Sequence, residues 1–310
     1  MRHVADRPEK LMLLDSASLY FRAFYGMKEP ITAADGTPVQ AVRGFLDFIA
    51  RLVTDHGPTR LVCCWDDDWR PAFRVAAIPS YKAHRVADPT VNAEEVPDTL
   101  EPQVPIIADV LRALGIARVG IPGFEADDVI GTLAARATLP VDVVTGDRDL
   151  FQVVEDARSV RVLYTAKGGV ARAEVIDEAA IAERYGIPGR AYADFSALRG
   201  DPSDGLPGVP GIGEKTAAAL INQYGTLDGV LAAATSGDPG ARATVLQKIL
   251  AARDYIAVAP SVVHVVTTAP VPDHDDRLPS APADLEALDA LATRWNLRAS
   301  VNRVLAVLPA

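Results

Sequence analysis

Short apolar runs alternate with stretches of helical spacing through the first half of the chain. Leu11-Met12-Leu13-Leu14 has the pattern of a buried strand and ends at Asp15, after which Ser16-Ala17-Ser18 offers helix caps. Val39, Val42, Phe45, Leu46, Ile49 and Val53 recur on one face of a helix, and 61–65 is a second strand running into Asp66-Asp67-Asp68. A helix from about 104 to 114 leads to a strand near 117–121. Another helix begins at Asp127, and the strand 141–144 ends in Thr145-Gly146-Asp147. Strands alternating with helices of this length predict βαβ units and a mainly parallel sheet flanked by helices, an α/β class. From Ile176 onward the pattern is mainly helical, punctuated by Gly-Pro pairs, so two regions are expected: an α/β core over 1–176 and a helical region over 177–310. The Pro- and Asp-rich stretch 269–282 reads as a surface loop before an amphipathic end helix.

Composition changes this picture little at first. The 310 residues are 49% hydrophobic and 23% charged, enough apolar chain for a sizeable core and too much for a disordered one. Cys63 and Cys64 are neighbours in an apolar run, which reads as buried thiols in a reducing cytoplasm. The start of the chain is polar, unlike a secretory leader, and no run of 18 apolar residues suggests a membrane span. The net charge of −10, from 41 acids against 31 Lys and Arg, argues against a nucleic-acid partner, which wants a basic face.

The distribution of the acids reverses that argument. Ligand sites in parallel sheets lie at the carboxyl ends of strands. Those ends carry Asp15, then Asp66 to Asp68, then Asp147 with Asp149, and Glu125-Ala126-Asp127-Asp128 opens a helix between them. One such acid is ordinarily a helix cap. Acids at successive strand ends repel one another by several kcal/mol unless cations neutralise them. All-oxygen ligands without a His/Cys set favour Mg²⁺ or Mn²⁺ over zinc.

Two further segments fit a nucleic-acid backbone. Arg199-Gly200-Asp201-Pro202-Ser203-Asp204-Gly205 precedes Pro207-Gly208-Val209-Pro210-Gly211-Ile212-Gly213-Glu214-Lys215-Thr216. The second run predicts a hairpin between helices, presenting backbone N–H groups, the N-terminus of a helix and a Lys to phosphates. A nucleotide-binding P-loop is disfavoured by Glu214 between Gly213 and Lys215 and by the lack of a preceding strand. The stretch 70–85 interleaves Arg70, Arg74, Lys82 and Arg85 with Phe73 and Tyr81, a pattern suited to a strand's phosphates and bases.

With these residues the chain resembles the 5′-nuclease family of flap endonucleases and 5′→3′ exonucleases, including the N-terminal domain of bacterial DNA polymerase I. The matching blocks are Leu13-Leu14-Asp15 with Tyr20 to Tyr25, Phe73-Arg74 with Tyr81-Lys82-Ala83-His84-Arg85, Glu125 to Asp128, Gly146 to Leu150, and Gly200 to Thr216. The resemblance implies a PIN-like or Rossmann-like sheet, a helical arch over about 70–104 through which a 5′ end threads, and a helix–hairpin–helix (helix-3-turn-helix) over about 198–225. It implies a first metal on Asp15, Asp67, Glu125, Asp127 and Asp147, with Asp128 among the cation-site acids, and a second metal on Asp149, Asp201 and Asp204. Asp67 is preferred within the triple acid because it lies six residues before Phe73. Arg22, Lys82 and Arg85 would hold the scissile phosphate, Tyr81 would stack on the terminal base, and Arg74, Gly211, Gly213, Lys215 and Thr216 would contact DNA. Carbonyls of Val209 and Ile212 would hold K⁺ against the duplex. Gly205 departs from the family, which usually has Asn there.

The implied activity is two-metal hydrolysis of DNA near 5′ flaps, nicks and free 5′ ends, with RNA-primed DNA a further possible substrate, by a cytoplasmic monomer serving replication and repair. Three other readings compete. A non-catalytic DNA-binding protein on the same scaffold would not cleave. A phosphatase with an aspartate nucleophile needs Asp-x-Asp, which Asp15-Ser16-Ala17 breaks, and a PIN-type RNA nuclease would lack the block from Gly200 to Thr216. Setting aside the nine proposed site acids leaves 32 against 31 bases, so the acidity is largely that of the site.

Overall fold

Each apolar run that leads into an acid forms a strand of one sheet. The computed structural model describes residues 8–26, 31–88, 90 and 93–309; the polar opening of the chain lies mostly outside them. In chain order the elements of the first region are β1 (Leu11–Asp15), α1 (Ser16–Gly26), α2 (Gln40–His56), β2 (Arg60–Trp65), α3 (Ala72–Ala77), β3 (Val86–Asp88), β4 (Ala93–Glu94), α4 (Gln103–Leu114), β5 (Ala117–Gly120), α5 (Ala126–Arg136), β6 (Val141–Thr145), β7 (Val160–Tyr164) and β8 (Glu174–Ile176). The second region holds α6 (Glu178–Tyr185), α7 (Tyr192–Arg199), α8 (Glu214–Tyr224), α9 (Leu227–Ser236), α10 (Ala243–Ala251), α11 (Arg253–Val263), α12 (Leu285–Arg294) and α13 (Arg298–Leu305).

The main sheet has the order β5-β2-β1-β6-β7-β8, parallel except for the β7–β8 pair. Its central strand β1 is wholly buried, and its side chains alternate between two cores. Leu11 and Leu13 face a layer with Val129, Ile130, Phe151, Tyr192 and Phe195. Met12 and Leu14 face Phe45, Ile49, Ile107, Leu114 and Val301 on the other side. This two-sided burial explains why the strands read as continuous apolar runs. It also fixes the carboxyl ends of β1, β2 and β6 side by side along one edge. β7 and β8, absent from the sequence reading, extend the sheet beyond β6.

The segment expected to be a helical arch folds differently. Its described residues form the short helix α3, a 3₁₀ turn over Ala83–Arg85 and an antiparallel pair of β3 with β4; residues 89, 91 and 92 lie outside the description. Pro71, Pro79, Pro89 and Pro97 recur too often for a long helix, and Lys82 adopts a left-handed backbone (φ 48°) that interrupts one.

The second region is likewise not a single unit. Residues after α11 run back along the sheet, where the Leu61 amide donates to the Asp276 carbonyl (2.7 Å) and the Leu278 amide to the Thr59 carbonyl (3.0 Å). The Pro- and Asp-rich stretch is therefore a fastened strap with Ala269 and Leu278 buried, not a free surface loop. It delivers α12 and α13 to the α/β core, where Leu288, Ala292, Val301 and Val304 join the cluster of α2 and α4. Among the described residues no helix is long and apolar enough to cross a membrane.

Candidate active site

A cleft of about 440 Å³ opens at the carboxyl ends of β1, β2 and β6, lined by Asp15, Asp66, Glu125, Asp127 and Asp147 together with Lys82, Arg85 and Glu94. Local hydrogen bonding sets each acid. Asp15 ends β1; its Oδ1 accepts from the Ser18 amide (3.1 Å) and its Oδ2 from the Thr145 hydroxyl (2.6 Å). Asp147 follows β6, is solvent-exposed, and accepts the Asp149 amide at 2.9 Å. Asp66 accepts the Ala126 amide at 2.7 Å, so it both caps α5 and lines the cleft.

Burial makes five of the acids, Asp15, Asp66, Asp127, Asp149 and Asp204, reluctant to ionise. It pushes Asp15 up to about 7, with the charges of Asp66 and Asp147 adding to the effect. It pushes Asp66 up to about 6 against the lowering effect of the Ala126 amide. Asp127 lies well above the ordinary carboxylate range through burial, with Asp15 and Asp147 as repelling neighbours. Asp149 is raised in the same way, repelled by Asp147, Asp204 and Asp201, and burial also raises Asp204. Asp201 is the exception: bonds from Ser203 and Arg148 outweigh its burial and hold it low.

Several expected roles change. Asp67 does not enter the cleft. Its carboxylate pairs with Arg118 at 3.2 Å and lies over Gly120 of the edge strand β5, because the residue after Asp66 turns to the other side of the chain. Asp66 stands in the cleft instead. Asp128 is also no cleft acid: fully buried, it accepts both terminal nitrogens of Arg74 (2.7 and 2.8 Å) and the Val266 amide (2.8 Å). With Glu125 it forms a capping box at the start of α5. Arg74 therefore does not reach DNA; only 2% exposed, it also bonds Glu125 and the carbonyl of Val262. Tyr81 cannot stack on a base, since it is 4% exposed with its hydroxyl 2.9 and 3.0 Å from the two Glu125 oxygens.

The cations face the acids. Lys82 pairs with Glu125, and although burial pulls its ammonium down, Glu125 more than offsets this. Arg85 donates to the Asp204 carboxylate and the Ser203 carbonyl, both at 2.8 Å. Arg22 lies beside Gly146 and keeps a buried Nε with no hydrogen-bond partner. Arg148, Glu94, Phe21 and Trp69, which the sequence reading did not single out, also line the cleft. Phe21 was legible in principle, since it sits six residues after Asp15 beside Arg22. Glu94 depends on the β3–β4 hairpin, which no local pattern announces.

The cleft continues into the second region. Asp201 commits its oxygens to Ser203 and to Arg148 (2.7 Å), while Asp204 accepts from Arg85 and Asp149 keeps a buried Oδ1 without a partner. The loop 201–205 is tied to the 70–85 segment: the Lys82 amide donates to the Asp204 carbonyl (2.9 Å) and the Ser80 hydroxyl to the Gly205 carbonyl (2.8 Å). A Cβ on Gly205 would fall 2.2 Å from the Ser80 carbonyl oxygen, and its φ is +71°, which accounts for glycine there. α7 and α8 flank the hairpin, whose crossing brings Gly200 and Gly208 backbone to backbone. Gly211, Gly213 and Lys215 are exposed, Thr216 is half-buried, and α8 begins without a side-chain cap. The Val209 carbonyl accepts the Ile212 amide (2.9 Å), and the Gly211 carbonyl accepts the ammonium of Lys248 (3.0 Å).

Among the described residues no three acid, His or Cys side chains stand together as a metal-ligand set, and Lys82 and Arg85 pair with two of the acids, Glu125 and Asp204. The donor chemistry nevertheless fits hard divalent cations. The donors are all oxygen, the ionisation of Asp149 is suppressed by burial and then by repulsion from Asp147, Asp204 and Asp201, and its buried Oδ1 has no hydrogen-bond partner.

A parallel sheet with carboxylates gathered at its strand ends, facing Lys and Arg, and with a helix–hairpin–helix alongside, defines a phosphodiester-hydrolysing class of protein. Family models agree: the 5′-3′ exonuclease N-terminal resolvase-like domain matches residues 10–186, and the 5′-3′ exonuclease C-terminal SAM fold matches 187–286. The chain is 60% identical over 304 residues to a 5′-3′ exonuclease of Streptomyces coelicolor, covering 96% of this chain and all of that one. It is 46% identical over 221 residues to DNA polymerase I of Mycobacterium bovis, covering 70% of this chain and 23% of the polymerase. The bacteriophage T5 flap endonuclease in a pseudo-enzyme–product complex with DNA and metal ions shares the fold, with a TM-score of 0.62, 17% identity and coverage of 96% and 99%. The chain belongs to the 5′-3′ exonuclease family and is a hydrolytic nuclease.

Proposed function

We propose that this protein hydrolyses DNA phosphodiester bonds close to 5′ ends, at flaps, nicks and free ends, with two divalent ions in the cleft, Mg²⁺ or Mn²⁺. Asp15, Asp66, Asp127 and Asp147, with Glu125 behind them, would hold one ion; Asp149 and Asp204, with Asp201 bracing Arg148, would hold the other. Such ions supply a deprotonated water at neutral pH and stabilise the leaving 3′ oxygen. The chain's own cations do the rest. Lys82, Arg85 and Arg22 take the scissile phosphate's charge, and Phe21 on the cleft wall offers a ring face to the terminal base in place of Tyr81. The observation carrying this reading is the buried, unpartnered Oδ1 of Asp149, whose ionisation is opposed by burial and by the neighbouring Asp147, Asp204 and Asp201.

The hairpin between α7 and α8 receives the duplex backbone through Gly211, Gly213, Lys215 and Thr216. The expected K⁺ at the Val209 and Ile212 carbonyls is one source of positive charge there, and Lys248 is another. The buried, unpaired Cys63 and Cys64 suit a reducing cytoplasm, where replication and repair place such substrates. The test is a set of 5′-labelled flap, nicked, single-stranded and RNA-primed substrates with Mg²⁺ or Mn²⁺. Metal-dependent short products bearing the 5′ label support the proposal; binding without cleavage in either metal would refute it.

A further inference from the structure

One half-buried amide ties the second group of acids to the end of α11. Gln152 lies on the 3₁₀ turn Arg148–Val153, which follows β6 and carries Asp149. Its Nε2 donates to the Asp149 carbonyl (2.8 Å) and the Val263 carbonyl (3.1 Å), and its Oε1 accepts the Val265 amide (2.9 Å). Only this orientation of the amide satisfies all three groups, since carbonyls accept and a backbone N–H donates. The support it leans on is fixed independently. Arg74 donates to the Val262 and His264 carbonyls, the Asp128 carboxylate accepts the Val266 amide, and the Thr132 hydroxyl donates to the Val266 carbonyl (2.9 Å). α11 ends at Val263, so the Val262 and Val263 carbonyls belong to a last helical turn, where side chains supply the partners that the helix cannot.

Asp149 needs such a support. Its amide donates to the Asp147 carboxylate (2.9 Å) and its carbonyl accepts from Gln152, so the main chain is held on both sides of the Cα. The side chain has less to hold it, because Oδ1 is buried without a hydrogen-bond partner. Burial opposes its charge, and Asp147, Asp204 and Asp201 repel it, so a loose main chain would let the carboxylate swing away. A short 3₁₀ turn, with its poorer hydrogen-bond geometry, resists that movement weakly by itself. The same end of α11 also holds Asp128 and with it the capping box that fixes Glu125. One support therefore serves both groups of acids.

We infer that Gln152 is a positioning residue for the divalent ion at Asp149 and Asp204: it clamps the Asp149 main chain to the end of α11 and so keeps the unpartnered Oδ1 where an ion can meet it. The inference rests on the proposed binding of an ion at these acids, and it deepens that reading. All the bonds of the Gln152 amide go to backbone groups, so its effect on the ion passes through Asp149. Groups that orient a ligand from behind commonly set metal affinity in this way.

The experiment titrates Mn²⁺ into the DNA-free full chain and reads the unbound ion by its electron paramagnetic resonance signal. Asp149→Asn marks the binding that depends on that acid. Gln152→Met, close in length but without polar atoms, should weaken the same binding about tenfold or more and leave the remaining Mn²⁺ binding within about twofold of the wild type. Thr132→Val is the control for a merely structural role. It removes a buried hydroxyl bonded to the same stretch of chain, at the Val266 carbonyl and the Ala269 amide. It should lower the melting temperature as Gln152→Met does, with Mn²⁺ binding unchanged. Should Gln152→Met unfold, Gln152→Asn replaces it: the shorter amide cannot span from Asp149 to α11, and the same binding should weaken. Mn²⁺ binding by a folded Gln152 variant equal to that of the wild type would overturn the inference, as would equal weakening in Thr132→Val. If Asp149→Asn removes binding and the Gln152 variants do not weaken it, only the role of Gln152 fails. If Asp149→Asn itself removes no Mn²⁺, the proposed ion site fails and the inference with it.

Discussion

Two clusters of charge meet at Glu125, and they obey opposite rules. Behind it, Arg74, Asp128 and Tyr81 are almost without solvent contact, and their polar atoms are satisfied by one another and by the backbone of 262–266. In front of it, Asp15, Asp66, Asp127, Asp149 and Asp204 are crowded acids whose ionisation is suppressed, answered only in part by Lys82 and Arg85. Both clusters are built from the same residue types in adjacent positions, as Asp127 and Asp128 illustrate. What separates them is saturation. A fully bonded buried ion pair maintains the fold, whereas a cluster short of positive charge awaits cations.

The largest expected effect is on the open cluster. Asp127→Asn should lower metal-dependent cleavage by about a hundredfold or more, while the melting temperature of the metal-free protein holds or rises because repulsion is relieved. Unfolding of this variant would merge the two clusters into one. Arg74→Met should do the reverse and act on stability. Breaking a buried pair by removing one partner costs about 3–5 kcal/mol, read by urea denaturation. A folded but inactive Arg74→Met would move that residue to the catalytic side.

Acidity divides the clusters without mutation. Asp15 (about 7) and Asp66 (about 6) bind protons more tightly folded than unfolded, so their contribution to stability is fullest below pH 4 and is lost as pH rises through 6 to 7. Melting in EDTA should therefore fall between about pH 4 and 7 and level off above that, and Mg²⁺ or Mn²⁺ should change the profile by binding the ionised acids. A flat profile in EDTA would show that the cleft is not short of cations. The smallest effect belongs to Tyr81→Phe, which removes a hydroxyl bonded to Glu125 and should cost about 1 kcal/mol with cleavage retained within about tenfold. A complete loss of cleavage would give the Tyr81 hydroxyl a chemical role.

The legibility of the molecule follows the same division. Strand ends were readable because a two-sided core demands apolar runs, and an acid after each run marks the edge where ligands sit. The helix–hairpin–helix was readable because its glycines permit a close backbone crossing. Asp66 and Asp67 were not separable, since their difference is a turn of one residue toward α5 or toward Arg118. The burial of Arg74 and Asp128 depends on Val262 and Val266, more than 130 residues away from Asp128, and no local pattern reports that contact. The return of α12 and α13 to the first core is likewise set by tertiary packing on α2 and α4.

In the proposed function, divalent ions bind the open cluster through Asp66 and leave its neighbour Asp67 aside. Calorimetric titration of Mn²⁺ into the DNA-free wild type, Asp66→Asn and Asp67→Asn tests it most directly. Asp67→Asn should bind as the wild type does, and Asp66→Asn about tenfold or more weakly. Weakening by Asp67→Asn with Asp66→Asn unchanged would contradict the account.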